Sequence, residues 1–414
     1  MKTFRKTMTC LLSTFALFLC FSSAGYTKVD GDTILLGAAV SLTGKYSTNG
    51  KHTKNGYDLA VKLINDRGGV KVKGKKYKLA IKYYDDESNS SRAKELAERL
   101  IKQDNIKFLL GPYSSGLTKA MAPIIDAAGI PMVEANGASR SLFTKGYKYL
   151  FAVLSAANQY LESAIDLAAE KAKESGKKPS QVKVALAFEQ DPFSLDVRLG
   201  VVEAAKRHGM KIVVDGKLPK ALNDMSAILA KVKALRPDVL VVSGHSKGAM
   251  TAIKQIQEMK VDIPLLAMTH CDAAKINKKL GGGGEYTLCA AQWHKSLSYK
   301  DSYFGNGMDY AKRFEKVYKY DPPYQSAESS AALLVWKSAF ERSNSFDTKK
   351  LRDALSKTNM QTFYGNIRFG KTGQNIAKPM VLFQVQNGKN AVVAPTEWAS
   401  SKLIWPAPKW SERK

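Results

Sequence analysis

From residue 33 onward the sequence alternates short β-rich runs with longer amphipathic stretches, and the alternation occurs twice. The first array, 33–133, carries "TILLGAAV", "YKLAIKYY", "IKFLLG" and "PMVEA". The second, 182–267, carries "QVKVALAF", "KIVVDG", "DVLVVSG" and "PLLAM". Between them lie segments such as "GYDLAVKLINDRGG", "RAKELAERLIKQ" and "SLDVRLGVVEAAKRHG", with apolar residues at helical spacing and glycine at several ends. A strand followed by a helix cannot meet the next strand through a tight hairpin. The strands must run parallel, with helices covering both sheet faces. The pattern predicts two α/β lobes.

The last third reads differently. The tetraglycine 281–284 reads as a flexible turn. Helical patterns follow ("MDYAKRFEKVYKY", "SAESSAALLVWKSAFERS", "KKLRDALSKT"), then β-like runs "YGNIRFG" and "MVLFQVQNGKNAVVA", in which "NGK" reads as a hairpin turn. A chain that returns to complete both sheets explains this mixture.

The first residues look like a targeting segment. Lys2, Arg5 and Lys6 precede an apolar run at 11–21, and small residues lead to Ala24. The run falls short of the roughly 20 residues that span a bilayer, so a cleaved export signal over 1–24 is expected. Cys20 suggests a lipid anchor, but Leu19 stands where a small residue is needed. No later apolar run approaches spanning length, and a soluble periplasmic protein is expected. Cys271 and Cys289 then remain, and in an oxidising compartment they could pair, although their spacing does not force it. Lys and Arg number 64 against 37 Asp and Glu, a formal charge of +27. The excess is mostly lysine, dispersed in stretches such as "KVKGKKYK". Nucleic-acid binders concentrate such charge with aromatics or a known motif. A solvated lysine-rich surface and no nucleic-acid partner are expected.

Ligands of open parallel sheets bind beyond the carboxyl ends of the strands. Those ends carry Ser41-Leu42-Thr43-Gly44, "GPYSSG" at 111–116, Asn136-Gly137-Ala138-Ser139, 189–193 with Phe193, His245-Ser246, and Thr269-His270. No GxSxG elbow, Walker lysine, GxGxxG fingerprint or HExxH is present, and no His/Cys group has zinc spacing. No enzyme, no cofactor and no metal are expected. "GPYSSG" lies between an apolar run and a helical pattern from about Leu117. Helix N-terminal N–H groups and the dipole favour an anion there, and Ser114 and Ser115 add hydroxyls. The pair reads as a carboxylate cradle, whereas Ser114 alone reads as a helix cap.

The set "ILLGAAVSLTGKYSTNGKHTKNGYDLAVKLINDRGGV", "YYDDESN", "LLGPYSSGLTKAMAPIIDAAGIPMV" and "YGNIRFGKTGQ" resembles the type I periplasmic substrate-binding proteins, in the leucine/isoleucine/valine-binding branch that serves ABC importers. The resemblance spans about 31–394. It implies an α/β fold of two Rossmann-like lobes with parallel central sheets, joined by three hinge crossovers near 151–154, 292–295 and 369–371. Lobe 1 would comprise 29–153 plus 294–370, and lobe 2 would comprise 154–293 plus 371–414. The family's carboxylate-binding serine falls on Ser115. Its head-group turn falls on "NGAS", with Gly137 and Ala138 in the key positions and Ser139 able to replace a threonine hydroxyl lost at Ala138. Pocket tyrosines fall on Phe193, on His245 and on Asn49, with Tyr46 nearby. The acid that meets a ligand ammonium is replaced by Thr269, followed by His270. Asp272, Glu189 or Asp191 would have to serve, because a buried ammonium without a partner is costly.

The resemblance thus implies a monomeric exported binder that closes on a small, aliphatic amino acid and hands it to an ABC permease. A non-amino carboxylate or amide ligand, or a ligand sensor of the same fold, are the alternatives. Asp85 and Asp86 read as turn caps, and Trp336 as core.

Overall fold

The computed structural model describes residues 29–219, 222–271 and 273–413. The expected export signal and Asp272 lie outside them. The chain builds two seven-stranded sheets. The first runs Val70–Val72, Lys75–Asp85, Thr33–Val40, Leu109–Leu110, Met132–Glu134, Leu150–Ala152, with Val29–Asp30 paired to Thr33–Val40. Thr33–Val40 has parallel neighbours on both sides and is buried without a break from Leu36 to Val40. That is why the run is apolar throughout rather than alternating.

The second sheet runs Lys389–Ala394, Val381–Gln386, Leu288–Ala291, Leu265–Thr269, Val239–Ser243, Lys183–Glu189, Lys211–Leu218. Five adjacent strands, from Leu288–Ala291 to Lys211–Leu218, pair in parallel as the alternation predicts, but the C-terminal edge is antiparallel. The cause is local. Asn387 and Gly388 both take positive φ, 52° and 71°, so the chain reverses within two residues and pairs with itself. Cys271 and Cys289 form a disulfide with 5.8 Å between Cα atoms, fastening the loop after Leu265–Thr269 to the neighbouring strand.

Helix Tyr324–Ser343 closes the first lobe. It is buried on nearly every side, with Trp336 fully buried and its indole N–H donating to Leu109 O at 3.1 Å. Asp85 accepts from the Leu42 and Thr43 amides and from the Thr43 hydroxyl, and Asp86 accepts from Ser41 Oγ and Ser88 N. Both carboxylates shape turns, as expected.

The chain passes between the sheets three times, and the passages are stitched together. Ser155 N donates to Gln292 Oε1, Gln292 Nε2 donates back to Ser155 O, and Ser155 Oγ donates to Lys378 O. Lys378 Nζ donates to Gln292 O. The third passage falls later than 369–371, because Gly373 O and Asn375 N are still bonded to Ala152.

Candidate functional site

Where the carboxyl ends of the two sheets face each other, the lobes touch. Asn49 Nδ2 donates to Ser246 Oγ at 2.9 Å, and Lys247 Nζ donates to Gly44 O at 3.1 Å. The Ser139 hydroxyl donates to Asp196 Oδ2 at 2.6 Å, and Tyr113 Oη lies 2.8 Å from His245 Nδ1. These contacts enclose a small cavity of about 10 Å³.

The first-lobe wall begins at Ser114. Its φ of 94° is rare for a residue with a side chain, and its Oγ caps the helix by accepting from Leu117 N at 3.4 Å. That cap starts helix Ser115–Ala127 two residues before the apolar pattern does. Ser115 Oγ accepts from Ser139 N at 2.9 Å, which leaves the hydroxyl hydrogen free to donate to a ligand oxygen. The neighbouring turn is held from below by Glu134, buried at the end of Met132–Glu134. Its carboxylate accepts from Asn136 N at 2.5 Å, Gly137 N at 2.8 Å and Thr118 Oγ1 at 2.8 Å. Gly111 is required by this packing, since a Cβ there would lie 2.0 Å from Glu134 Oε2. A Cβ on Gly137 would lie 2.4 Å from Thr118 Oγ1.

The second-lobe wall is built of rings. Phe193 stands edge-on to Tyr160 and to His270, each with centroids 5.0 Å apart. His245 lies 5.2 Å from His270. His270, at φ 51°, donates through Nδ1 to Gly244 O at 2.9 Å. Burial depresses its imidazole to about 3, so it is neutral and its Nε2 is an acceptor. Strained backbone at Ser114 and at His270, on opposite walls of one cavity, is the kind of feature that surrounding structure must hold in place.

Acids sit close by. Glu328, on helix Tyr324–Ser343, lines the cavity, and burial holds its carboxyl well above the usual range. Glu189, Asp191 and His245 each place a donor atom within 4.8 Å of the others. Burial raises Glu189 to about 7. Burial also opposes ionisation of Asp191, but His245 and the helix-start donors outweigh it and hold this carboxyl below the usual range. His245 Nε2 and Asp191 Oδ2 are buried without a hydrogen-bond partner.

Of the residues expected at the site, Ser114, Ser115, Phe193, His245 and His270 line this cavity together. Tyr46 lies behind them, edge-on to His245 at 4.6 Å and to Tyr113 at 5.5 Å. The others do not line it. Asn49 is spent on Ser246 across the lobe boundary. Gly137 and Ala138 turn their backbone inward, to Glu134 and to Ala157 N. The Ser139 hydroxyl does not substitute for a lost threonine hydroxyl, because it serves Asp196. Thr269 Oγ1 is bonded within its own lobe, to Gly244 and Ser243. Asn136 of the expected "NGAS" turn lines the cavity, and so do Tyr113, Tyr160, Tyr324 and Glu328, which were not among the expected ligand residues. Tyr113 lies inside "GPYSSG" and is legible there; Tyr160 follows a 3₁₀ turn, Tyr324 opens a helix and Glu328 lies within that helix.

Removing the Asn49–Ser246 contact tests whether closure and ligand affinity are coupled. Asn49→Ala is expected to weaken any ligand by about threefold to tenfold, the range of a hydrogen bond worth about 0.5–1.5 kcal/mol. Titration calorimetry checks the affinity, and small-angle scattering checks that the unliganded protein opens.

Two lobes hinged by stitched passages and facing each other across a serine-and-ring cavity define a clamshell binding protein. The chain belongs to the periplasmic binding protein family, whose model matches residues 33–390. Leu/Ile/Val-binding protein homolog 8 of Brucella suis biovar 1 (strain 1330) is 25% identical over 410 residues, covering 94% of this chain and 96% of that protein. The branched-chain amino acid transporter substrate binding protein LivJ from Streptococcus pneumoniae, in complex with isoleucine, superposes with a TM-score of 0.75 at 19% identity, over 88% of this chain and 100% of that one. An ABC transporter solute binding protein from R. palustris, in complex with benzoate, gives 0.74 at 19% identity, over 90% and 100%.

Proposed function

We propose that this protein is the exported, periplasmic solute-binding component of an ABC importer, and that it captures a small carboxylic acid between its lobes for delivery to a permease. The observation that carries the reading is the Ser114–Ser115 pair at a helix N-terminus, facing rings from the opposite lobe. The helix amides and the free Ser115 hydroxyl fix the carboxylate, and the rings take the apolar body. The ligand touches both lobes only when they are closed, so it favours closure. Nothing in this scheme breaks a bond.

An aliphatic amino acid is the leading ligand. Glu328 supports it, as a carboxyl inside the cavity lining that an arriving ammonium would ionise, and it adds a candidate to Glu189 and Asp191. The second reading is an aromatic acid without an amine. The ring-rich wall and the neutral His270 favour it, and the similar R. palustris protein holds benzoate.

A thermal-shift panel on refolded, ligand-stripped protein separates the two. The panel holds the common amino acids beside their des-amino acids, amides and benzoates. A ligand present at a thousandfold its dissociation constant stabilises by about 4 kcal/mol. Shifts from amino acids alone support the first reading, equal or larger shifts from des-amino acids support the second, and no shift from any acid sinks both. Ser115→Ala is expected to weaken the ligand about tenfold to hundredfold, from a charge-assisted bond worth about 1.5–3 kcal/mol. Ser115→Thr should recover most of that affinity.

A further inference from the structure

Beside the small cavity lies a much larger recess. Its volume is about 490 Å³, against about 10 Å³ for the cavity between the serines and the rings. Small-molecule sites run to about 300–1,000 Å³, whereas the smaller space matches roughly one water. The two spaces share His270 and Tyr324, whose ring centroids lie 6.0 Å apart. Those two rings form the partition between them. His270 belongs to the second lobe and Tyr324 to the first, so any opening of the lobes parts the rings and joins the spaces.

The recess has its own chemistry. Trp293 and Phe383 give it apolar wall. Lys275 and Lys278, on helix Ala273–Lys279, give it charge. Both lysines are exposed, and no carboxylate among the described residues pairs with either. The acid in the recess lining, Asp321, is already held by Lys295 at 2.6 Å. The recess is therefore a net cationic pocket with an apolar side. An acidic or ammonium-bearing tail has opposite prospects there, and the two lysines, of which Lys275 also lies over the Tyr320 ring at 5.8 Å, select the acidic one.

We infer that the ligand is longer than a branched-chain amino acid. Its first carboxylate occupies the Ser114–Ser115 cradle, its body passes between His270 and Tyr324, and a second anionic group lies in the recess beside Lys275 and Lys278. This rests on the proposed carboxylate cradle. That proposal concerns the head group, and the recess concerns the rest of the molecule.

Matched acids test the inference by titration calorimetry at fixed ionic strength. The pair is octanoate and suberate, or 2-aminooctanoate and 2-aminosuberate if the thermal-shift panel favours an amine. Leucine and benzoate serve as short controls. The diacid is expected to bind at least tenfold tighter than its monoacid partner. Lys275→Gln/Lys278→Gln should remove that preference while leaving the short acids within about twofold, since a solvent-screened charge acts weakly at a distance. Short acids that bind, with no diacid preference or one the double variant does not change, would overturn the inference and leave the cradle standing. If no acid of any length binds, the cradle reading fails and the inference falls with it.

Discussion

Replacing Glu134 with leucine is expected to lower the unfolding free energy by about 3–5 kcal/mol, because buried amides that lose their acceptor carry the full cost of desolvation. The affected donors are the Asn136 and Gly137 amides and the Thr118 hydroxyl. Thr118 is partly compensated, since it also donates to Ser114 O at 2.9 Å. Urea unfolding followed by circular dichroism measures the loss. Glu134→Gln should recover most of it, because an amide oxygen can accept both N–H groups while its NH₂ faces the Thr118 oxygen. The glutamine variant also exposes a pH effect. Burial raises the folded-state carboxyl of Glu134 to about 7, above its unfolded value. Its contribution is therefore fully present below about pH 4.3 and is lost as pH rises towards 7. The melting point of Glu134→Gln should rise relative to the parent across that window. A constant difference between them would show that Glu134 does not titrate there.

Opening the Cys271–Cys289 disulfide is expected to cost about 3 kcal/mol, the loop-closure value for a ring of this size. The cysteines are separated by 18 positions, and both are buried. A melting scan of Cys271→Ser/Cys289→Ser against the oxidised parent measures the loss. A second consequence is local. His270 precedes the bridge and holds a φ of 51°, so the variant should also lose ligand affinity more than a comparably destabilising change in the first lobe does. Equal affinity in the variant and the parent would show that the bridge supports the sheet and not the site.

Much of the architecture was readable because the strands are continuous apolar runs and the helices carry a clear apolar period. Runs such as "DVLVVSG" have no polar face to show, and only a strand with neighbours on both sides and helices above and below has that requirement. Among the residues placed by the strand-end rule, Ser115, Phe193, His245 and His270 reach the cavity. The rule says where a residue lies and not where it points. Thr269 obeys the rule, yet its hydroxyl is used inside its own lobe. Asn49 and Ser139 lie near the site, yet they bind the opposite lobe. Glu328 was invisible for another reason. It sits within a helix that reads as core, and only its distance from other elements in space, not in sequence, brings it to the cavity.

Two lobes built on parallel strands, a returning C-terminal third and a serine pair at a helix start are all legible in the sequence. These follow from period, turn chemistry and chain connectivity, all of which act over a few residues. Tertiary structure alone decided that the third passage runs on to Lys378, that the two cysteines pair, and that a cationic recess opens beside a cavity too small for a ligand. Each of those depends on how separate elements meet in space, whether 18 residues apart, as with the cysteines, or more than two hundred, as with Ser155 and Lys378, and no local pattern carries that information.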